Sequence, residues 1–311
     1  MKDSATEGTA AFTTTYQGRD ETHQTWYKIV RPAQADNSKK PLITLHGGPG
    51  ATHDYLLSMA DLAGDGRQVI FYDQIGNGNS SHLPERGADF WTVDLFVREL
   101  HNLVGELGLA AAGYHVLGQS WGGFLAQEFA LTQPEGLKTL VLADTAASFP
   151  DFVAECNKLR AGLPPEVEAI LRKHEEAGTT ADPEYAQASE VFYKRHVCRI
   201  DPMPADVTRS FGWIDTDPTV YHTMNGPSEF HVIGSIKDWQ VKDRLREITI
   251  PVLLVSGRHD EAGLPLQETL LGGLPTAEWT VFGDSSHMPH WEERRRYMGV
   301  VGSWLRQHDD A

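Results

Sequence analysis

Residues 118–122 place a serine between two glycines in the motif GQSWG. An apolar run precedes the motif at residues 114–117, and a helix-like segment follows it at residues 123–130. A strand, a glycine-flanked serine and a helix in this order form the strained turn that exposes a nucleophilic hydroxyl. Glycines are needed because larger side chains would collide where the strand and helix approach each other. We therefore predict that Ser120 is a catalytic nucleophile and that the N–H of Trp121 stabilises an oxyanion. An ordinary Gly-Ser turn is the alternative.

A nucleophilic serine requires a general base and an acid that orients the base. Two acidic residues closely follow late apolar runs: Asp144 comes after residues 137–143, and Asp260 comes after residues 252–256. We favour Asp260, because the glycine turn before it and the adjacent Glu261 suit an acid displayed at the floor of a cavity. Asp144 is then interpreted as a helix cap or a turn residue.

Two histidines, His287 and His290, follow the last predicted strand. Pro289 is a favourable first residue for a helix, which leaves His287 on the preceding loop and His290 in the first helical turn. A loop residue can place its imidazole over the serine, so we predict that His287 is the base. A second oxyanion donor is expected from the glycine-rich loop at residues 47–50. Gly48 is our candidate, and a plain Gly-Pro turn is the alternative.

The first half of the chain predicts alternating strands and helices. An antiparallel hairpin is predicted from residues 12–16 and 24–30. The elements that follow are predicted, in chain order, at residues 41–46 (strand), 55–62 (helix), 68–72 (strand), 93–107 (helix), 114–117 (strand) and 137–143 (strand). This alternation indicates a mostly parallel sheet with helices on both faces.

A different pattern occupies residues 146–238, which are charged, interrupted by prolines and helical in periodicity. The later elements are predicted at residues 166–176 and 183–196 (helices), 251–257 and 278–282 (strands), and Pro289 to Arg306 (helix). We predict an α/β core made of residues 1–145 and 239–311, with a helical cap of residues 146–238 inserted between core strands. Two independent domains are the alternative, but neither flank alone has enough strands to close a sheet.

The composition is that of an ordinary globular protein, with 40% hydrophobic and 23% charged residues among 311. The net charge of −16 argues against nucleic acid and anionic membranes as partners. The N-terminal residues lack the pattern of a signal peptide, and no apolar run is long enough to span a bilayer. Cys156 and Cys198 suggest neither a disulfide framework nor a zinc site. We expect a cytoplasmic protein that needs no metal and no organic cofactor.

Several motifs together resemble the proline iminopeptidase family, whose members have the α/β-hydrolase fold. The matching motifs are HGGPG at residues 46–50, YDQIGNGNS at 72–80, GQSWGG at 118–123, GPSEF at 226–230, GRHDE at 257–261 and SHM at 286–288. The pairing of HGGPG with GQSWGG is far more specific than a glycine-flanked serine alone. The resemblance extends from about Tyr27 to Leu305, and it looks like the branch that includes tricorn-interacting aminopeptidases and L-amino acid amidases.

The resemblance implies action on a free N-terminal residue whose α-ammonium is held by two glutamates. These glutamates match Glu229 and Glu261 in this sequence. Two carboxylates that face one ammonium in a low-dielectric pocket would select a free amine. They would disfavour an acylated amine, because a neutral amide leaves both charges unpaired. A solvent-exposed carboxylate is the alternative for each residue.

We predict a serine hydrolase that forms an acyl-enzyme and releases an unblocked N-terminal amino acid from peptides or amino acid amides. The released residue is expected to be proline or another small or apolar residue. An esterase or acyltransferase of the same fold that acts on a small molecule is the alternative. A non-catalytic binding protein on the same scaffold is a second alternative. Halide release and epoxide opening are not expected, because both need a carboxylate where Ser120 stands. The oligomeric state is left open.

Overall fold

A computed structural model describes residues 4–310 of the chain. Its strands are β1 (Ser4–Tyr16), β2 (Arg19–Arg31), β3 (Leu42–Leu45), β4 (Val69–Tyr72), β5 (Tyr114–Gln119), β6 (Leu137–Ala143), β7 (Val252–Gly257) and β8 (Ala277–Phe282). The eight strands form one sheet in the order β1-β2-β4-β3-β5-β6-β7-β8. Strands β3 to β8 pair in parallel, whereas β2 pairs antiparallel with both β1 and β4. The predicted α/β-hydrolase fold, with its mostly parallel sheet, is confirmed.

The helices include those predicted after β4, after the Ser120 turn and at residues 166–176 and 183–196, together with several that the sequence analysis did not place. They are α1 (Val93–Glu106), α2 (Trp121–Leu131), α3 (Phe149–Arg160), α4 (Pro165–Ala177), α5 (Pro183–His196), α6 (Ala205–Thr216), α7 (Thr219–Met224), α8 (Leu264–Gly273), α9 (Pro289–Glu292) and α10 (Arg294–Gln307). Two 3₁₀ helices occupy His53–Asp65 and Lys242–Glu247. Among the described residues, none of the helices combines the length and apolar character that crossing a bilayer requires.

The N-terminal hairpin is longer than predicted and is closed by a two-residue turn. Gln17 and Gly18 have φ angles of 49° and 76°, which match the right-handed twist of the two strands. Each strand contains 13 residues, and the pairing runs without interruption from Ser4 opposite Arg31 to Tyr16 opposite Arg19. The hairpin extends the sheet beyond β4 and lies far along the strand order from β7 and β8.

The central strands are buried along their whole length because both faces of the sheet are covered. All residues of β3, β4, β5 and β7 are buried. One face packs on a cluster that includes α1 and α2, and the other face packs on the 3₁₀ helix at His53–Asp65 and on α10. Six parallel strands therefore direct their carboxyl ends toward one edge of a rigid core, where loops can carry functional groups.

The segment between β6 and β7 contains the five helices α3 to α7. Its two ends meet, because Ser148 and Gln240 form an isolated β-bridge. In addition, the N–H of Phe149 donates to the carbonyl of Trp239 at 2.9 Å. We call this segment, residues 146–238, the inserted segment. Its treatment as a separate cap remains a prediction.

The predicted single C-terminal helix from Pro289 to Arg306 is wrong in one respect. Glu293 has φ −123° and ψ 42°, which interrupts the helix between α9 and α10. At the interruption, the carboxylate of Glu293 accepts hydrogen bonds from the N–H of Asp284 and the hydroxyl of Ser285 at 3.1 and 2.7 Å. These bonds connect the start of α10 to the loop after β8.

Candidate active site

Ser120 lies in the tight turn between β5 and α2, as predicted. Its φ of 57° and ψ of −126° are strained for a residue with a side chain. A Cβ on Gly118 would collide with the carbonyl oxygen of Gly122, and a Cβ on Gly122 would collide with that of Leu45. The two glycines therefore allow the strand and helix to close around the serine. The carbonyl of Ser120 is held by the hydroxyl of Thr145 at 2.8 Å.

The structure brings His287 and Asp260 together in the orientation that a base and its acid require. The Nδ1–H of His287 donates to Asp260 Oδ1 at 2.6 Å, and both side chains are buried. The N–H of Ala262 donates to the same oxygen at 2.9 Å. The hydrogen bond from His287 Nδ1–H to Asp260 fixes the tautomer in which His287 Nε2 is free to accept a proton. His287 and Ser120 line the same pocket.

One backbone carbonyl joins the two loops that carry the predicted acid and base. The N–H of Glu261 and the N–H of His287 both donate to the carbonyl of His196, each at 3.2 Å. His196 is the last residue of α5 in the inserted segment. Sequence reasoning missed this contact, because a backbone carbonyl leaves no signal in residue types.

The loop before His287 is also held by the carboxylate of Glu292. It accepts from the N–H and the hydroxyl of Ser286, both at 2.7 Å, and from the N–H of Arg199 at 2.8 Å. Together with the bonds to Glu293, these contacts restrain three consecutive loop residues. His287, the predicted base, is therefore carried by a loop whose residues are fixed by several hydrogen bonds.

The alternative base, His290, is placed elsewhere. Its ring is buried and its Nε2–H donates to the carbonyl of Tyr55 at 3.2 Å. Burial lowers the pKa of His290 to about 3, so the ring is neutral over the physiological range. It lies in α9, where the sequence placed it.

The alternative acid, Asp144, lies in the bend that directly follows β6. It is completely buried at the end of β6, with φ 50°. Its Oδ1 accepts the N–H of Gly257 at 3.1 Å. The position is dictated by the parallel pairing of β6 with β7, which carries Asp144 to the strand end that precedes Asp260.

The glycine-rich loop after β3 faces Ser120 from the other side. The N–H of Gly47 donates to the hydroxyl of Tyr55 at 2.7 Å, so this donor is occupied. Gly48 lines the pocket with φ 110°, a conformation that favours glycine. Trp121 is the first residue of α2, and the N–H groups of a first helical turn have no partner within the helix. Gly48 and Trp121 thus remain the candidate oxyanion donors.

Buried amides that sequence reasoning did not single out hold these loops together. Gln119 donates from Nε2 to the carbonyl of His287 at 2.9 Å and accepts from the hydroxyl of Tyr55 at 2.5 Å. Gln74 donates to the carbonyl of His46 and accepts from the indole N–H of Trp121, both at 2.9 Å. A glutamine directly before the serine could have been noticed as a candidate, but its partner 168 positions away could not.

A pocket of about 400 Å³ opens above Ser120. It is lined by residues from the core loops and from the inserted segment, including Gly48, Ser120, Tyr221, Glu229, Glu261 and His287. Glu229 Oε1 accepts the hydroxyl of Tyr221 at 2.7 Å. Glu261 Oε1 lies 3.6 Å from Nε2 of His287, and its buried Oε2 has no hydrogen-bond partner within residues 4–310. The two predicted glutamates therefore border one cavity with the predicted nucleophile and base.

Burial and like charge shape the protonation of this pocket. Burial raises the pKa of Glu229 and, together with repulsion from Glu229, raises that of Glu261 well above its usual value. Burial alone would lower the pKa of His287, but attraction to Asp260 and Glu261 raises it to about 9. A cation that enters between the glutamates would compensate their charges and lower both carboxyl pKa values.

Within the described part of the chain, no group of three or more His, Cys, Asp or Glu side chains is arranged to hold a metal ion. The independence from metal and cofactor remains a prediction. The arrangement is suited to nucleophilic attack by a serine that is assisted by a buried histidine–aspartate pair.

Comparisons with known proteins agree with this geometry. Residues 40–294 match the model of the alpha/beta hydrolase fold family. A proline iminopeptidase of Saccharolobus solfataricus is 37% identical over 91% of this chain and 89% of its own length. The crystal structure of a proline iminopeptidase from Mycobacterium smegmatis is 46% identical, with a TM-score of 0.86 over 96% of this chain and 99% of that one. The crystal structure of VinJ is also 46% identical, with a TM-score of 0.88 and the same coverage.

The likeness extends over nearly the whole chain and over nearly the whole length of each of these proteins. It includes both the sheet and the inserted segment, which lies within the matched range. The chain therefore belongs to the proline iminopeptidase family of the α/β-hydrolase fold.

Proposed function

We propose that this protein is a serine aminopeptidase that releases an unblocked N-terminal amino acid from peptides or amino acid amides. The family supports the enzyme class, since its named members are proline iminopeptidases. Ser120 is the nucleophile, His287 the base and Asp260 the acid that orients it. Gly48 and Trp121 supply the oxyanion donors.

One observation carries the proposal: Glu229 and Glu261 border the same pocket as Ser120 and His287. Two carboxylates that approach one another in a largely buried site repel each other, and both have raised pKa values because of burial. A substrate ammonium would pair with both and relieve this repulsion. A pocket built for a neutral ester has no need of such a pair.

Acylation begins when Ser120 Oγ attacks the carbonyl carbon of the first residue. A C–O bond forms, and the hydroxyl proton passes to His287 Nε2. The negative charge that develops on the carbonyl oxygen is stabilised by the N–H groups of Gly48 and Trp121. When the tetrahedral intermediate collapses, the C–N bond breaks and the leaving amine takes the proton from His287. The product is an ester between Ser120 and the amino acid.

Deacylation repeats these steps with water. His287 accepts a proton from the water molecule as its oxygen attacks the ester carbonyl. The intermediate collapses, the proton returns to Ser120 Oγ, and the free amino acid leaves. The ammonium contacts with Glu229 and Glu261 persist through both halves of the reaction, so they position the carbonyl beside Ser120 throughout.

We propose proline or another small apolar amino acid as the first residue. Apolar side chains, among them Val197 and Met288, border the pocket together with the glutamates. An apolar side chain beside an ammonium would match this combination.

We further propose that the enzyme acts in the cytoplasm on small peptides or amides. Both cysteines, Cys156 and Cys198, are buried free thiols, which suits a reducing compartment. The net charge of −16 disfavours nucleic acid and anionic membranes as binding partners.

The test compares an amino acid p-nitroanilide with its N-acetyl form, using the unaltered protein. Acetylation removes the positive charge and leaves the scissile bond unchanged. We expect the free-amine substrate to be cleaved. For the acetylated substrate, kcat/KM should be lower by about ten- to a hundredfold. Equal cleavage of the two would remove the aminopeptidase proposal, and cleavage of a p-nitrophenyl ester alone would favour the esterase alternative.

A further inference from the structure

Asp144 and Asp260 occupy equivalent ends of two adjacent strands. Strands β6 and β7 pair in parallel, with Ala143 opposite Val255, and the N–H of Asp144 donates to the carbonyl of Val255 at 2.9 Å. Relative exposures of 0% and 1% show that neither carboxyl group reaches solvent. The proposed mechanism uses Asp260 and gives no role to Asp144.

In each of the two carboxyl groups, one oxygen accepts hydrogen bonds and the other has no hydrogen-bond partner among the described residues. Asp260 Oδ1 accepts from His287 and from the N–H of Ala262, at 2.6 and 2.9 Å. Asp144 Oδ1 accepts from the N–H of Gly257 at 3.1 Å. In the described chain, both Oδ2 atoms are buried without a hydrogen-bond donor. A proton on one of the two neighbouring carboxyl groups would turn one of these unpartnered acceptors into a donor for the other.

The surroundings determine which carboxyl group carries that proton. Asp260 faces His287, which stabilises a negative charge. The titratable groups that face Asp144 are Asp260, Glu292, Tyr55 and Tyr297, and none of these can become a cation. Burial and, next, repulsion by Asp260 raise the pKa of Asp144 well above its ordinary value. Asp144 is therefore the neutral partner.

We propose that Asp144 is a protonated positioning residue whose carboxyl O–H donates to Asp260 Oδ2. With Oδ2 held by Asp144 and Oδ1 held by Ala262, the Asp260 carboxylate has one orientation left in which to accept the Nδ1–H of His287. The neutral donor also withdraws charge from Asp260, which lowers its attraction for an imidazolium. This inference rests on the proposed roles of Asp260 and His287.

Two variants separate a neutral Asp144 from an ionised one. Asp144→Asn keeps the volume, supplies an N–H to Asp260 and can still accept from Gly257; Asn also tolerates the φ of 50°. We expect it to retain kcat/KM within about threefold, with the acid limb of the pH profile unmoved. Asp144→Ala leaves Asp260 Oδ2 without a donor. We expect a loss of about ten- to a hundredfold and an acid limb moved to higher pH.

A vibrational measurement tests the proton directly, without turnover. A buried protonated carboxyl group has a carbonyl stretching band that shifts in deuterium oxide. We expect this band in the infrared difference spectrum between the unaltered protein and Asp144→Asn at neutral pH. The measurement remains decisive even if Asp144→Ala fails to fold.

The inference is overturned if the band is absent, or if Asp144→Asn moves the acid limb to lower pH. Removal of an ionised neighbour would produce that shift, because one negative charge fewer stabilises the imidazolium of His287 less. A p-nitrophenyl ester serves as the substrate for these profiles. If the proposed aminopeptidase function is wrong, peptide substrates will not be cleaved. The infrared band of the carboxyl group and the pH profile with the ester will still report on the protonation of Asp144.

Discussion

The residues around the pocket come from two regions that position their side chains differently. Ser120, Asp260 and His287 stand at the carboxyl ends of β5, β7 and β8 or on the loops directly after them. Glu229 stands after α7 in the inserted segment, more than 80 residues beyond the end of β6 and close in space only because the segment folds back. The first set is placed by strand pairing, and Glu229 is placed by helix packing and side-chain hydrogen bonds.

The anchoring of Glu229 illustrates this second mode. Tyr221 donates to its carboxylate, Tyr185 bonds to the preceding Ser228 at 2.8 Å, and the following Phe230 is 2% exposed. No ladder of backbone bonds comparable to β5 and β6 supports Glu229 in the described chain. The proposed reacting groups therefore stand at the edge of the sheet together with Glu261, whereas the inserted segment supplies Glu229, the second proposed contact to the substrate ammonium. The two regions meet at the carbonyl of His196, which holds the loops of Asp260 and His287 together.

Ser120→Ala should produce the largest effect, and the effect should not depend on the substrate. It removes the nucleophile, so kcat/KM should fall by about ten-thousandfold or more for peptides and esters alike. Steady-state kinetics and labelling with a fluorophosphonate would measure it, with the melting temperature as a check on folding. Near-native activity would contradict the assignment of the sheet-end residues.

Asp260→Asn should be nearly as damaging, again for every substrate. Asparagine would favour the wrong tautomer of His287, with an expected loss of roughly ten-thousandfold in kcat. Asp144→Asn, the same replacement on the neighbouring strand end, is the matched control and should cost far less. If the control is the more damaging variant, the acid lies at Asp144 instead.

Glu229→Gln should distinguish the two regions, because it should affect only substrates with a free amine. Loss of a charge-assisted contact to the ammonium should lower kcat/KM by about ten- to a hundredfold for free-amine substrates and spare p-nitrophenyl esters. Glu190→Gln provides a control, since Glu190 also borders the pocket but its side chain is 66% exposed. Equal losses for both kinds of substrate would mean that Glu229 supports the fold rather than amine binding.

The pH dependence of the base should respond to Glu261. The base must be neutral to act, so activity with an ester should rise as pH increases toward the His287 pKa of about 9 in the free protein. Glu261→Gln removes a negative charge 3.6 Å from Nε2, which destabilises the imidazolium and lowers that pKa. The acid limb of kcat/KM should therefore move to lower pH. An unmoved limb would show that Glu261 does not act on the base.

Tyr221→Phe should have the smallest effect and should again be confined to amine substrates. It removes the hydroxyl that orients Glu229, with an expected rise of about three- to tenfold in KM. Tyr16→Phe is the matched control, because its hydroxyl donates to Asp89 and Tyr16 does not line the pocket. A change in kcat for esters with Tyr221→Phe would contradict the prediction that Tyr221 acts only on amine substrates.

Much of the sheet region could be predicted because its signals are local. The strands and the turn at Ser120 follow from short apolar runs and two glycines, and the fold class and family are confirmed. The order of serine, acid and histidine along the chain is equally visible. The break between α9 and α10 was missed, since the backbone conformation of Glu293 leaves no signal in the local pattern of residue types.

The site was less predictable wherever two distant segments meet. The sequence alone determined which residue types are available: a strained serine, two candidate acids, two candidate histidines and two glutamates. Residue types cannot show which oxygen faces which nitrogen. Tertiary structure decided that Asp260 rather than Asp144 contacts His287, and that Asp144 is buried beside it. The physical reason is that parallel pairing of β6 with β7 sets both acids at one edge, while the loop positions at His196 and Glu292 aim the imidazole at one of them.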